Sequence, residues 1–506
     1  MSRETLLIRA DASVAIGTGH VMRCLALAQA CQDGGGDVVF AFAQAMPALA
    51  ERLRSEGLEV VCLNVEPGGA EDAAQAADLA KARGANWAVV DGYHFPPEYQ
   101  CRLKEAGLKL LFVDDNGEGE RYAADLVLNQ NVHASKKYYS HRAPCTRLLL
   151  GPRYAMLRRE FKTWRAWQRE IAPLGCKVLV SMGGSDPDNL TGRVIEAISA
   201  LKNIEIEARV IVGGSNPNLA ALEKLSGTSE GKVRLERNPG NIPELMAWAD
   251  VAVSAAGSTC WELCFLGLPA LVMDVAENQR GIASTLQEKG VAVHLGWAAD
   301  VTPSEIGKRL EELLRSPDAR KTMSQRGKNL VDGYGAERVA SAMRWAGLRL
   351  RRARESDCRV LWEWANDPGV RSASFSSEPI PWEKHAAWFA HKLDDPNCMI
   401  FLATDGSSSP MGQVRFDLLQ PGEFETDISV APERRGSGLG LGLMTRAMEE
   451  AFRDKSVRRL HALIKPHNGG SIRLFEAAGF QKRGTIQTRG CEAIHYACER
   501  PVETDD

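Results

Sequence analysis

The sequence predicts an α/β protein in which two doubly wound, parallel-sheet domains stand in tandem and a smaller mixed α+β domain follows. Three observations carry that expectation. Short apolar runs alternate with amphipathic stretches over the first 150 residues, and the same alternation restarts at residue 177. Near residue 346 the pattern changes to one helix followed by a group of strands.

In the first domain (1–163), Leu6–Ala10, Val38–Ala43, Val60–Leu63, Trp87–Asp91 and Lys109–Asp114 read as buried strands. Segments 20–34, 47–56, 70–83 and 96–106 read as helices, with Val21, Cys24, Leu25, Ala28 and Cys31 on one face of the first. The second domain (164–345) opens with a Trp- and Arg-rich connector, 164–174. Strands then fall at Lys177–Ser181, Glu207–Val212, Val233–Glu236, Val251–Ser254 and Ala270–Met273, with helices at 189–202, 218–226, 241–249 and 258–267. Strand–helix alternation of this kind builds a parallel sheet covered on both faces. Ligands of such sheets bind outside the carboxyl ends of the strands, so two facing domains would leave a cleft between those ends. The third domain (346–506) opens at Leu348–Arg352, continues with a helix at 355–366 and four or more strands, and has helices after Gly440 and at 470–478. No long Gly/Ser/Pro run marks the junction, which predicts a short tether.

Bulk composition narrows the function classes. A chain of 506 residues suggests three domains at about 150 residues each. Hydrophobic content of 44% with 25% charged residues is the balance of a globular protein. A net charge of −3 provides no broad basic field, so nucleic acid is not an expected partner. Twelve scattered cysteines without a Cys-x-x-Cys predict reduced thiols in a reducing compartment. Charges stand where a signal peptide would need an apolar core, and no run of about 20 apolar residues occurs, so a cytoplasmic protein with no membrane partner is expected. Oligomeric state is not readable from the sequence.

The richest stretch is Ile8 to Cys24. A strand runs into Gly17-Thr18-Gly19, and a helix starts near His20. The glycines permit tight turning, and a helix start offers unpaired N–H groups to an anion. The positive helix end disfavours an imidazolium, which suits His20 to accepting a proton; a nucleotide-type turn with His20 as a polar cap is the other reading. Asp91 and Tyr93 end a strand on the same rim, where Asp91 serves a sugar pocket or caps a helix. The run RADASVAIGTGHVMRCLALA resembles the signature of the UDP-2,4-diacetamido-2,4,6-trideoxy-β-L-altropyranose hydrolases of pseudaminic acid biosynthesis, over about residues 5–345. The resemblance implies that His20 is the catalytic base. By their own positions, Gly17 and Gly19 would let the UDP-sugar approach the backbone, and Tyr93 would line the sugar pocket with Asp91.

Gly183 and Gly184, between a strand and a helix, form either a ligand approach or a simple turn. Ser254 to Leu263, continuing through Gly267-Leu268-Pro269 to Gln279, is similar to the nucleotide-binding half of two-Rossmann-domain glycosyltransferases, especially the lipid II-forming N-acetylglucosaminyltransferase. The resemblance implies two Rossmann-like domains facing a cleft, a GT-B-like arrangement. It places Gly257, Ser258 and Thr259 at the diphosphate, Glu262 at the ribose hydroxyls, and Asn278 and Gln279 at the sugar or diphosphate. A carboxylate one turn into a helix suits hydroxyl donors, although a first-turn acid also favours the helix dipole by itself. This reading requires no metal, since loop amides and helix N-termini can meet the diphosphate charge.

In the third domain, Glu425–Val430 reads as a strand, followed by Arg435-Gly436-Ser437-Gly438-Leu439-Gly440 and a long helix. Loop amides and a helix N-terminus of this kind grip a pyrophosphate. The companion block, His467 to Phe480, resembles the second conserved block of the GCN5-related N-acetyltransferases (GNAT). The resemblance implies an α+β GNAT domain with acetyl-CoA as cosubstrate, held at Val430, Arg435, Gly436, Gly438 and Gly440, with Asn468 by the pantetheine arm. Many relatives carry a tyrosine where this chain has Phe475, and that tyrosine protonates the CoA thiolate. Here either solvent or another group, with Tyr496 as the candidate, must do so. Glu425 and Asp427 are candidates to accept the amine proton through water, or are strand-edge charges. Trp364 to Pro368 and His385 to Phe389 resemble the acetyltransferases of the same pathway; His385 contacts a ligand or packs in the core.

Together the resemblances imply a bifunctional enzyme. The third domain would acetylate the 4-amino group of UDP-4-amino-4,6-dideoxy-N-acetyl-β-L-altrosamine, and the first two would then remove UDP. A glycosyltransferase, a hydrolysing 2-epimerase, and a non-enzymatic sugar-nucleotide sensor with a GNAT tail remain the rival expectations.

Overall fold

The structure is a computed structural model that describes residues 4–13, 17–44, 46–214, 216–406 and 409–501. Val14, Ala15 and Ile16 of the glycine-loop segment therefore lie outside the described residues. The chain divides into two compact units, Met1–Ala336 and Glu337–Asp506.

The first unit holds two all-parallel sheets. The first sheet comprises β1 (Thr5–Ala10), β2 (Asp37–Phe42), β3 (Glu59–Cys62), β4 (Ala85–Asp91), β5 (Lys109–Val113), β6 (Leu126–Asn129) and β7 (Arg147–Leu150). Its order is β3-β2-β1-β4-β5-β6-β7, so the winding reverses between β1 and β4. Helices α1 (Gly19–Asp33), α2 (Pro47–Ser55), α3 (Ala70–Ala82) and α4 (Pro97–Glu105) connect the first five strands. The second sheet comprises β8 (Lys177–Ser181), β9 (Glu207–Val212), β10 (Val233–Arg237), β11 (Val251–Ala255), β12 (Ala270–Asp274) and β13 (Ala292–Trp297). Its order, β10-β9-β8-β11-β12-β13, reverses between β8 and β11. Its connections are α5 (Leu190–Ala200), α6 (Leu219–Gly227), α7 (Ile242–Trp248), α8 (Thr259–Phe265) and α9 (Arg280–Glu288), followed by α10 (Pro303–Arg315) and α11 (Pro317–Leu330). The expected α/β class and GT-B-like pair of Rossmann-like sheets are thus present. Missing from the sequence reading were β6, β7 and β13. The first two are only four residues long, too short for a periodic signal.

Both faces of each sheet are sealed by apolar side chains. On the second, Val194, Ile198, Leu310 and Leu314 pack over Val178, Val180 and Val210, while Trp261, Phe265 and Leu245 pack with Leu179 and Val272 on the other side. Each such side chain contributes about 1.5–3 kcal/mol when fully buried. Helix α1 departs from the amphipathic expectation: from His20 to Ala30 every residue but Met22 is buried. The reason is a second cover, since the Arg159 N–H donates to Gln29 Oε1 at 2.7 Å and the 159–164 segment lies along the helix.

Helix α12 (Gly335–Arg344) leads into the second unit, with strands β14 (Arg349–Arg352), β15 (Cys398–Thr404), β16 (Pro410–Gln420), β17 (Glu423–Val430), β18 (Arg459–Ile464), β19 (Gln481–Thr488) and β20 (Cys491–Glu499). Their order is β14-β15-β16-β17-β18-β20-β19. All pairs are antiparallel except β17 and β18. Five further helices are α13 (Cys358–Ala365), α14 (Pro368–Ala373), α15 (Trp382–Asp394), α16 (Leu439–Ala451) and α17 (Gly469–Ala478). On one face Leu439, Leu443 and Phe475 cover Phe424, Leu460 and Ala462; on the other, Leu361, Trp364 and Phe389 cover Cys398, Ile400 and Leu402. Among the described residues no helix is long and apolar enough to cross a membrane. The twelve cysteines are all free.

Candidate functional site

In the first unit the residues singled out from the sequence gather at the two places where the winding reverses. Gly17 closes the loop after β1 with its N–H on Ser13 O at 2.8 Å, and its φ of +72° suits only glycine well. Helix α1 then begins, and among the described residues no side chain caps its first turn. His20 on that turn meets Asp91, the last residue of β4, with Nδ1 2.7 Å from Asp91 Oδ1. Arg23, one turn further, donates Nε–H to Asp91 Oδ2 at 2.7 Å and Nη2–H to Oδ1 at 2.6 Å. It also donates Nη1–H to Asp115 Oδ1 at 2.7 Å. Arg23 Nη2 also lies 3.1 Å from His20 Nδ1, but the carboxylate can only accept, and at the shorter 2.7 Å Asp91 Oδ1 takes the His20 Nδ1–H beside the Arg23 Nη2–H. That assignment leaves the His20 Nε2 lone pair as the group available to a substrate.

This geometry corrects one expectation. Asp91 does not line a sugar pocket: it is 0% exposed, and His20, Arg23 and the Cys24 thiol occupy its oxygens. Burial opposes its charge, but Arg23 and then His20 outweigh burial and hold the carboxyl well below the usual range. Arg23 likewise prevails over burial at Asp115, whose carboxyl is also lowered. His20 thus faces a carboxylate and a guanidinium, not the helix end alone.

Tyr93 is 53% exposed and sits edge-on to His20, ring centroids 4.8 Å apart. Its hydroxyl donates to Asp115 Oδ2 at 2.9 Å and accepts from Asn278 Nδ2 at 2.7 Å. Two residues singled out in separate domains therefore touch. The carboxyl ends of the sheets meet elsewhere as well. A Cβ at Gly19 would lie 3.6 Å from Ser258 Oγ, and one at Gly184 would lie 3.3 Å from Thr18 Oγ1. Gln279 accepts the Val275 N–H at 3.1 Å, and its Nε2 faces Gly257 at 3.7 Å from where a Cβ would stand. Gly183 turns at φ +98° with open space on its side-chain face. Thr259 opens α8, which spans only seven residues, so any anion there depends on first-turn N–H groups more than on a macrodipole.

Glu262 lies in the same region but is already paired, with Arg158 Nη2 3.0 Å from Oε1. Burial pushes its carboxyl up, and Arg158 opposes that. Arg23, Asp115 and Arg158 escaped the sequence reading. Arg23 was within reach, since it stands three residues after His20 on one helix face. Asp115 and Arg158 lie on irregular segments, where no periodicity marks them. Among the described residues no group of three or more His, Cys, Asp or Glu is arranged to hold a metal.

In the second unit the organising feature is a gap. Strands β17 and β18 pair only from Glu423↔Arg459 to Glu425↔His461. Beyond that, Thr426–Val430 and Ala462–Ile464 no longer pair with each other, which leaves strand N–H and C=O groups for an extended ligand. Val430 ends β17 there. Gly436 (φ +73°) and Gly438 (φ +79°) then turn the chain into α16, whose first turn has no side-chain cap among the described residues. Gly440 has a different task, because a Cβ on it would meet Leu474 at 3.3 Å, so it lets α16 and α17 pack closely. Arg435 is tied to Asp367 at 2.7 Å, and Asp367 in turn caps α14. Asn468 caps α17 through Oδ1, which accepts the Ser471 N–H at 3.1 Å.

The acid and base candidates fare differently. Tyr496 is corrected: it is 1% exposed, and its hydroxyl already donates to Glu476 Oε1 at 2.9 Å, so it is sealed from a thiolate. Phe475 is buried against Phe480. Both Glu425 oxygens accept from Arg489 at 2.8 Å, and the half-exposed Asp427 lies 3.3 Å from Arg415. His385 is buried beside Trp388 and Phe389, the packing alternative for that helix.

Comparison with known proteins bears on both units. Residues 178–336 match the glycosyltransferase family 28 C-terminal domain, and residues 347–481 match the acetyltransferase (GNAT) domain. An 81-residue stretch, 16% of this chain, is 34% identical to the kanamycin resistance protein of Rhizobium radiobacter and covers 75% of it. The C-terminal domain belongs to the GNAT acetyltransferases. A further 27% identity over 290 residues relates 57% of the chain to 98% of the UDP-2,4-diacetamido-2,4,6-trideoxy-beta-L-altropyranose hydrolase of Campylobacter jejuni. The uncharacterized protein MJ1062 of Methanocaldococcus jannaschii is 23% identical over 498 residues, 94% of this chain and 96% of its own. The chain is an enzyme that joins a region related to a UDP-sugar hydrolase to a GNAT acetyltransferase domain.

Proposed function

We propose that the chain catalyses consecutive steps of pseudaminic acid biosynthesis on one UDP-sugar. The GNAT domain transfers acetyl from acetyl-CoA to the 4-amino group of UDP-4-amino-4,6-dideoxy-N-acetyl-β-L-altrosamine. The first unit then hydrolyses the product, UDP-2,4-diacetamido-2,4,6-trideoxy-β-L-altropyranose, to UDP and the free sugar. The observation that carries the hydrolytic half is His20, backed by the buried Asp91 and adjoining the Tyr93–Asn278 bridge.

In this mechanism His20 Nε2 takes a proton from water as the water oxygen attacks the anomeric carbon. Asp91 holds the Nδ1–H and stabilises the imidazolium that forms. The anomeric C–O bond breaks with inversion, and its electron pair leaves on the UDP phosphate oxygen. First-turn N–H groups of α1, with the loop at Gly257, Ser258 and Thr259, meet the diphosphate charge. Glu262 receives the ribose hydroxyls beside Arg158, and Asn278 and Gln279 orient the sugar. UDP is a good leaving group, so no dedicated acid is needed. In the GNAT domain the gap between β17 and β18 takes the pantetheine arm beside Asn468, and the Gly436–Gly438 turn takes the pyrophosphate.

Hydrolysis of the diacetamido UDP-sugar in ¹⁸O water tests the first half. Label in the sugar is expected; label in UDP would mean attack at phosphorus and would contradict the mechanism. Glycosyl transfer is the second reading, favoured by the family 28 match over residues 178–336. It predicts no UDP release from this substrate without an acceptor.

A further inference from the structure

One face of the GNAT sheet carries a chain of titratable groups that the mechanism above does not use. Glu423, His461 and His495 stand on β17, β18 and β20 respectively. The strand register sends Phe424, Leu460, Ala462 and Tyr496 into the core beneath α16 and α17. Strand alternation therefore turns Glu423, Glu425, His461 and His495 to the opposite face. There Glu423 Oε2 lies 2.7 Å from His461 Nε2, and His461 Nδ1 lies 2.9 Å from His495 Nε2. The two ring planes differ by 17° with centroids 5.1 Å apart. With a nitrogen–nitrogen contact of 2.9 Å, that spacing means the rings meet edge to edge.

Proton positions follow from the partners. The carboxylate accepts, so His461 carries its proton on Nε2 and presents the Nδ1 lone pair. His495 must then donate Nε2–H, which leaves its own Nδ1 as an open lone pair at the end of the chain. Among the described residues no hydrogen-bond partner lies on that nitrogen, whereas Glu425 is locked by Arg489. The place also fits. His461 stands at the last paired step before β17 and β18 part, and His495 pairs with Leu463, two residues further along β18 on the same face. His495 is thus beside the mouth of the gap. Burial, then His461, Arg483 and Arg459, keep its imidazole below the ordinary histidine range and so neutral at pH 7.

We propose that His495 is the catalytic base of the acetyl transfer, with His461 and Glu423 as positioning residues behind it. This rests on the acetyltransferase reading of the domain. The acceptor arrives as an ammonium and gives one proton to His495 Nδ1, directly or through a water. The freed lone pair attacks the thioester carbonyl carbon, forming the C–N bond. As the tetrahedral intermediate collapses, the C–S bond breaks, its electron pair stays on sulfur, and the second amine proton goes to the CoA thiolate. The proton on His495 is shared through Nε2–H with His461, whose imidazole is braced by Glu423, and then passes to solvent.

The test follows CoA thiol release with the 4-amino UDP-sugar, in the full chain, as a function of pH. His495→Asn is expected to lower kcat about 100-fold, with the KM for acetyl-CoA changed by less than about threefold and the acid limb of the pH profile gone. His461→Asn is expected to lower kcat about 10-fold and to move that limb to lower pH, since an amide oxygen accepts the His495 Nε2–H more weakly than the Glu423-backed imidazole and steadies the imidazolium less. UDP release from the pre-acetylated sugar, and acetyl-CoA affinity, verify that each variant is folded. Should both variants keep kcat within about threefold of the parent, or should His495→Asn retain the acid limb, the proposal is overturned. Failure of the unaltered chain to release any thiol would instead overturn the acetyltransferase reading beneath it.

Discussion

The two units place histidines on opposite kinds of scaffold. His20 stands at a winding reversal of a parallel sheet, on a helix start, above a buried Asp91 that Arg23 clamps with two hydrogen bonds. His495 stands on β20, one strand in from the sheet edge, where it meets His461 on neighbouring β18, which Glu423 on β17 braces in turn. In the first case loops and helix ends carry the polar groups, because the strands themselves are buried on both faces. In the second the strands carry them, because one face of β17, β18 and β20 lies away from the core. The contrast predicts different costs in stability: disturbing the buried clamp of the first site is expensive, disturbing the strand-borne groups of the second is not.

The largest effect is expected at His20. His20→Gln should lower UDP release about 1,000-fold while thiol release from acetyl-CoA stays unchanged, measured in parallel on one preparation. Next comes Arg23→Met, which strands two buried carboxylates and should cost about 3–5 kcal/mol in the first unit, read by denaturant-dependent hydrogen exchange of α1. Its pH dependence has a definite sign. Asp91 and Asp115 have lowered carboxyls in the folded state, so their contribution is complete above the ordinary carboxylate range and drains away as pH falls through the lowered values. The stability gap between the parent and Arg23→Met should therefore narrow below about pH 4. Asn278→Ala, which removes one hydrogen bond to Tyr93, should raise the KM for the UDP-sugar about 10-fold with a smaller change in kcat. Smallest of all, Asp427→Asn should change acetyl transfer by less than about twofold, since that carboxylate is half exposed and its ion pair with Arg415 is 3.3 Å long. A large loss there would break the contrast drawn between the units.

The same difference decided what the sequence could reveal. Gly17, Gly19 and His20 lie within four consecutive residues, as do Gly257, Ser258 and Thr259 within three, so a loop-borne site is a contiguous pattern. Asn278 and Tyr93 were each visible, but their contact across the two sheets was not, because it depends on how the carboxyl ends face each other. Asp91 was found with the wrong task, since nothing in Val-Val-Asp-Gly-Tyr reveals that Arg23 and His20 close over it. Tyr496 was misjudged for a related reason: strand alternation alone leaves two faces to choose between, and the core took this one. Glu423, His461 and His495 span 73 residues and three strands, and only the register unites them.

The central claim is that one chain acetylates and then releases UDP from the same sugar. It is tested most directly by giving the purified chain UDP-4-amino-4,6-dideoxy-N-acetyl-β-L-altrosamine with and without acetyl-CoA, and following UDP and sugar mass. The account predicts UDP release that requires acetyl-CoA, with the free diacetamido sugar as product. Acetylation without UDP release, or UDP release that ignores acetyl-CoA, would contradict it.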